Sequence, residues 1–174
     1  MRHLTDAATR SLHWKQLKLF DSTYQLVDAD EVFARLSFPK VFGSFAIAET
    51  AGGTWTFKRV GFWHTRATVR KEGADTDLAV FEHNTWSGGG TLTLADGRKI
   101  QITTNFWQSR IEFQWEDGRA FFRYETEGFM RLGATLELLA AGAALPELPW
   151  LLAFGWYLVV MIQHDSASQA VVIG

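Results

Sequence analysis

The sequence predicts an all-β fold with one helix: about twelve antiparallel strands that close into a barrel around a hydrophobic C-terminal helix. Three observations predict it. Apolar and polar residues alternate with a period of two through most of the first 139 residues. Turn signals such as Asp96-Gly97 and Asp117-Gly118 separate these runs at short intervals. The one long apolar run of the chain follows them, near the C-terminus.

The strands are predicted from the alternation. The clearest case is Ile111 to Trp115, where apolar residues alternate with glutamate and glutamine. Trp55 and Phe57 alternate in the same way with threonine and lysine, whereas Phe121 breaks the alternation of a later run. These runs predict strands over 12–20, 22–28, 31–38, 42–49, 53–60, 65–71, 77–84, 90–95, 98–103, 110–116, 119–126 and 129–139.

The C-terminal run predicts a buried helix over about 146–163. The stretch from Trp150 to Ile162 is apolar throughout, so a helix there has no polar face. A closed barrel of about twelve strands has a lumen too wide for strand side chains alone to fill. A helix that is apolar around its whole circumference can fill this space, and Gly155 with Ala153 would allow the barrel wall to approach closely.

A single-pass membrane protein is the alternative interpretation of this run, with 138–162 as its span. Against it, the helix from Trp150 to Ile162 is only about 20 Å long, and the hydrocarbon layer is about 30 Å thick. Trp156 and Tyr157 would lie in the middle of a span, and no Lys or Arg lies near either end to orient it. The buried helix is therefore preferred.

Composition limits the classes of protein that fit. One domain covering 1–174 is expected, because the chain has 174 residues and no linker or low-complexity segment. The absence of cysteine excludes disulfides, thiolate catalysis and cysteine-ligated metal sites. A net charge of -2 and a pI near 6.2 argue against a nucleic-acid partner. No secretory signal is visible at the N-terminus, so a cytoplasmic location is expected.

The chain resembles the tubby C-terminal-like superfamily, which includes LURP-one-related and phospholipid scramblase-like proteins. The resemblance covers about residues 12 to 164 and is carried by the phrases Tyr24 to Pro39, Gly53 to Trp63 and Pro146 to Ile162. It implies a twelve-stranded barrel around a C-terminal hydrophobic helix. It also implies a role at phospholipids, although no lipid-binding residue of the family can be placed in this sequence, and the cysteine cluster of scramblases has no counterpart here.

One basic stretch is the candidate binding site. Five cations fall within fourteen residues that contain no acid, and aromatic residues lie between them: Lys58, Arg59, Arg66, Arg70 and Lys71. Cations near an anionic lipid surface each contribute about 1 kcal/mol to binding. The alternative is a solvated face whose cations pair with the acids that follow, such as Glu72, Asp75 and Asp77.

No catalytic or metal-binding motif accompanies this stretch. The five histidines are far apart in the sequence, and no nucleophile elbow or HExxH spacing occurs. We therefore expect no catalytic residue, no metal and no cofactor. The sequence favours a non-enzymatic binding or scaffold module that contacts anionic phospholipid headgroups, peripheral at a membrane. A small-ligand carrier or an enzyme at the barrel rim is the further alternative.

Overall fold

A computed structural model of the chain describes residues 1–3, 11–18, 22–40, 43–60, 66–84, 89–105, 109–127 and 132–172, with side chains in the last helix as far as Ser166. This part of the chain contains twelve strands and two helices. In chain order they are β1 (Leu12–Gln16), β2 (Thr23–Asp28), β3 (Glu31–Ser37), β4 (Phe45–Thr50), β5 (Gly53–Val60), β6 (Arg66–Lys71), β7 (Ala79–His83), β8 (Gly90–Leu94), β9 (Lys99–Thr104), β10 (Arg110–Trp115), β11 (Ala120–Glu127), β12 (Gly133–Leu138), α1 (Ala140–Ala143) and α2 (Leu148–Val172).

Each strand pairs antiparallel with its neighbours in sequence, and β1 pairs with β12, so that the sheet closes into a barrel. The predicted fold class and strand number are confirmed. The strand ends differ by a few residues: the predicted 77–84 is observed as Ala79–His83, and the predicted 129–139 as Gly133–Leu138. Part of the latter prediction, residues 129–131, lies outside the described residues.

Two aromatic residues that interrupt the alternation are the extra residues of β-bulges. The register of β10 and β11 shifts where Phe113 pairs with Phe122 and Gln114 with Ala120, which leaves Phe121 unpaired between them. Phe33 has the same position where β2 meets β3. A bulge places two consecutive residues against one on the partner strand, so both Phe121 and Phe122 can be buried.

The predicted Asp-Gly turns are present at β8–β9 and β10–β11. Gly97 and Gly118 have φ of 88° and 84°, in the left-handed region that glycine adopts without a steric penalty. In the second turn the Asp117 carboxylate accepts the backbone N–H of Arg119 at 3.0 Å. The first turn has the same arrangement, which explains why this dipeptide ends a strand and begins the next.

The lumen is filled by α2. Every residue from Trp150 to Met161 is buried, and the indole of Trp156 stacks on that of Trp14 in β1 with ring centroids 5.5 Å apart. The neighbouring residue Gly155 lies so close to β10 and β11 that an added Cβ would come within 2.5 Å of the Tyr124 ring. The Tyr124 hydroxyl donates a hydrogen bond to the Leu152 carbonyl oxygen at 2.6 Å.

The helix is longer than predicted at one end and shorter at the other. It begins at Leu148 rather than 146, with Pro149 in its first turn, and continues past 163 to Val172. The prediction ended where the apolar run ends, but the polar residues that follow are compatible with helix once they leave the barrel. The segment 138–162 is not one helix, since it contains the end of β12, all of α1 and part of α2.

No helix in the described part of the chain is long and apolar enough to cross a membrane.

We predict that Trp156→Asp unfolds the barrel. The side chain is fully buried between Trp14 and Tyr24, so an unpaired carboxylate there should lower the free energy of unfolding by about 3–5 kcal/mol. Trp156→Phe is the matched control, since it keeps a ring and removes a buried indole N–H that has no acceptor among the described residues. The control should cost about 2 kcal/mol or less in urea denaturation. A folded Trp156→Asp variant would contradict the placement of the helix.

Candidate functional site

The barrel has two chemically different ends. We call the end where α2 emerges the upper rim: it contains the C-terminal ends of the odd-numbered strands and the N-terminal ends of the even-numbered ones. The lower rim is the opposite end, where α2 begins and Glu147 pairs with Arg98. The Arg59 guanidinium and the Asp165 carboxylate mark the upper rim, since they join β5 to the emerging helix.

Three of the five predicted cations line one groove on the outside of the barrel. Lys58, Arg66 and Arg70 point away from the lumen and, with the exposed ring of Phe45, form part of a groove along β4, β5 and β6. Arg70 donates from Nε to the Asp77 carboxylate at 2.6 Å. Lys58 and Arg66, by contrast, have no carboxylate within ion-pair distance in the described part of the chain. We call these groove residues, Phe45, Lys58, Arg66 and Arg70, the basic groove.

The structure separates the other two predicted cations from the basic groove. Arg59 has the inward register of Trp55 and Phe57, and it donates from Nη1 and Nη2 to the two Asp165 oxygens at 2.9 and 3.0 Å. Lys71 lies at the other end of β6, opposite Trp55 and next to the lower rim. The five cations are therefore neighbours in sequence but not one surface.

Charge is unevenly distributed along the barrel axis. The lower rim carries acidic turns that include Asp28, Asp75 and Glu116. The exposed residues of the upper rim include several lysines and an arginine that have no carboxylate partner in the described residues; these are Lys15, Lys18, Lys40, Lys58 and Arg66. The near-neutral net charge thus results from a more basic upper end and a more acidic lower end.

The upper rim also carries the exposed large apolar side chains of the described strands and their flanks. Phe45, the first residue of β4, faces Lys58 across the strand pair, and Leu17 directly follows β1. Phe45 and Leu17 thus add two exposed apolar side chains to the rim that holds the unpaired cations.

A cavity of about 160 Å³ opens at the upper rim between the last turns of α2 and the wall from β5 to β10. Its apolar walls include Phe81, Ile102 and Met161, and Arg59 and Asp165 lie at its edge. Sequence reasoning did not find this cavity. It also did not find Asp165 as the partner of Arg59, because the two residues are 106 positions apart.

The described residues were also compared with what a metal site or a proton-transfer site needs. In the described part of the chain no group of three His, Asp or Glu side chains is placed to hold a metal ion. Burial raises the pKa of the Tyr124 and Tyr157 hydroxyls far above their usual range, so both stay protonated as donors. The Tyr157 hydroxyl donates to the Ser44 carbonyl oxygen at 2.7 Å.

Compared with protein-family models, with curated proteins and with solved structures, the chain has no match. The residues of the upper rim are therefore interpreted from their own geometry.

We predict that His164 makes the upper rim sensitive to acid. Its ring lies against Phe38, and burial lowers its pKa below the ordinary 6.5, against the smaller opposing effect of Asp165. The unfolded chain then binds more protons than the folded chain as pH falls below about 6.5, so the free energy of unfolding should fall between pH 7 and pH 5.5. His164→Gln should flatten this pH dependence in urea denaturation. Equal slopes in wild type and His164→Gln would contradict the assignment.

Proposed function

We propose that this chain is a non-enzymatic binding module that contacts anionic phospholipid headgroups through the basic groove and the upper rim. The proposal rests on the exposure and the lack of an ion-pair partner of Lys58 and Arg66. Both side chains are exposed on one outer face, and neither has a carboxylate partner among the described residues. The exposed Phe45 ring lies beside them. A partner with clustered negative charge and an apolar layer would satisfy all three side chains.

Electrostatics supports a surface rather than a single ion as the partner. Each cation near an anionic bilayer contributes about 1 kcal/mol to binding, and the effect falls off within a Debye length of about 10 Å. The unpaired cations Lys15, Lys18 and Lys40 belong to the same rim and would add to the attraction of Lys58 and Arg66. The acidic lower rim would face away from the bilayer, which gives the protein a preferred orientation.

Sequence composition gives a second line of support. The six segments that connect odd-numbered strands to the following even-numbered strands each contain phenylalanine or tryptophan, whereas the connections between even-numbered and odd-numbered strands are rich in Asp, Glu and Gly. Tryptophan is enriched where proteins meet the membrane–water interface, and three of the six segments contain it, those that precede β6, β8 and β10. The aromatic residues of these segments are Phe20, Phe38, Phe42, Phe62, Trp63, Trp86, Phe106, Trp107 and Phe129, of which Phe38 is buried.

We also propose that the barrel is a distant member of the tubby C-terminal-like superfamily. Its strand number, its closure and its C-terminal helix in the lumen support this relationship. Under this proposal the protein acts on the cytoplasmic side of a membrane as a peripheral module. The scramblase-like features of the superfamily that depend on cysteine have no equivalent, because the chain contains no cysteine.

The proposal predicts that reversing two charges of the basic groove abolishes membrane binding. Lys58→Glu with Arg66→Glu should weaken sedimentation with phosphatidylserine-containing vesicles at low salt by about 30-fold or more, since two favourable contributions of about 1 kcal/mol are lost. Wild type should not sediment with pure phosphatidylcholine vesicles.

The matched control is Lys71→Glu with Lys99→Glu. It changes the net charge by the same amount, but both positions are exposed near the lower rim. This variant should sediment like wild type. Equal loss in the two double variants would show that net charge alone matters, and failure of wild type to sediment at low salt would exclude the proposed function.

A further inference from the structure

The cavity at the upper rim exists because the lumen is filled unevenly. α2 makes its closest backbone approach to β3, β4 and β5, and the space that remains near the upper rim lies beside β5 to β10. Toward the lower end this space is closed by rings such as Phe113 and Phe122, which stack with centroids 4.5 Å apart. Near the upper rim, small residues take their place: Ala67 on β6 and Gly89 just before β8 line the remaining space.

The walls of the cavity are apolar and its edge is charged. Phe81, Ile102, Met161 and other apolar side chains surround the inner part. At the edge, the Arg59 guanidinium is directed toward the lumen and is held by Asp165. His83 also lies at this edge, as the last residue of β7. The cavity therefore offers an apolar interior with the Arg59–Asp165 ion pair at its entrance.

We propose that this cavity binds a small carboxylic acid with an apolar tail of about six carbons. The volume is close to that of a 150 Å³ apolar cavity that takes up benzene, which sets the size of the tail. The carboxylate of the ligand pairs with the Arg59 guanidinium, whose planar set of five N–H donors suits a carboxylate. This proposal does not rest on membrane contact by the basic groove.

The solvent exposures of Arg59 and Asp165 indicate which charge the ligand should carry. The Arg59 side chain is 26% exposed, whereas that of Asp165 is 55% exposed. Asp165 can thus be rehydrated when it turns into water, whereas Arg59 stays at the cavity and pairs with the ligand carboxylate in its place. Once Asp165 has turned into water, an ammonium ligand would face the like charge of Arg59, so a carboxylate is favoured over an amine.

The test is a titration of the full chain with hexanoate, 1-hexanol and hexylammonium, followed by the methyl NMR signals of Met161 and Ile102. We expect saturable shifts with hexanoate and weaker binding of hexanol and hexylammonium. Arg59→Met should reduce hexanoate to the affinity of hexanol and leave hexanol unchanged. Asp165→Asn should raise the affinity for hexanoate about tenfold, because it removes the carboxylate that competes for Arg59.

Variants that fill the cavity test its location. Ala67→Leu, or Ile111→Phe if the first variant does not fold, should weaken hexanoate binding at least tenfold, because both positions line the cavity. Hexanoate affinity equal to wild type in a folded filling variant would overturn the location. Equal affinities for hexanoate and hexanol in both wild type and Asp165→Asn would overturn the role of Arg59. The absence of saturable shifts in both proteins would overturn the site itself.

Discussion

The structure depends on how the lumen of a twelve-stranded barrel is filled. A barrel of this size has an interior that strand side chains alone cannot occupy, and a void there would forfeit dispersion contacts along every strand. Here α2 supplies the missing volume, and its packing is specific. Trp156 lies flat against Trp14, and the neighbouring Gly155 lets Tyr124 and Phe113 approach the helix closely. The helix must therefore be apolar all round, because wall residues pack against it on every side.

One helix cannot fill a wide lumen evenly, and the functional features follow from this. α2 makes its closest backbone approach to β3, β4 and β5, and the space beside β5 to β10 is filled by rings in the lower part and left open near the upper rim. The same rim holds the point where the helix leaves the barrel, so the apolar core ends there and charged residues begin. Arg59 and Asp165 mark this boundary, since they join the barrel wall to the helix where its polar part starts.

The sequence predicted the strands and the helix well because their signals are local. Alternation, Asp-Gly turns and an apolar run each depend on a few neighbouring residues, and even the break at Phe121 has a local cause in a bulge. The candidate site was predicted less well. The alternation already present in β5 separates Lys58 from Arg59, so the five cations could have been divided between two faces from sequence alone. The partner Asp165 could not, because it depends on the barrel register and the length of α2. The cavity could not either, because it depends on the off-centre position of the helix.

Antiparallel connectivity explains why a basic stretch followed by an acidic stretch in the sequence gives a barrel whose two ends differ in charge. In a barrel where every strand reverses direction, alternate connections lie at opposite ends, so the order of residues along the chain becomes position along the axis. β6 carries the chain from Arg66 at the upper rim to Lys71 and the acidic turn beyond it at the lower rim. The turns at Asp28, Asp96 and Asp117 follow the even-numbered strands β2, β8 and β10, so all three lie at the lower end. A charge pattern that looks local in the sequence is thus repeated around the barrel, and it gives the upper rim the excess of unpaired cations on which an oriented contact with an anionic surface would depend.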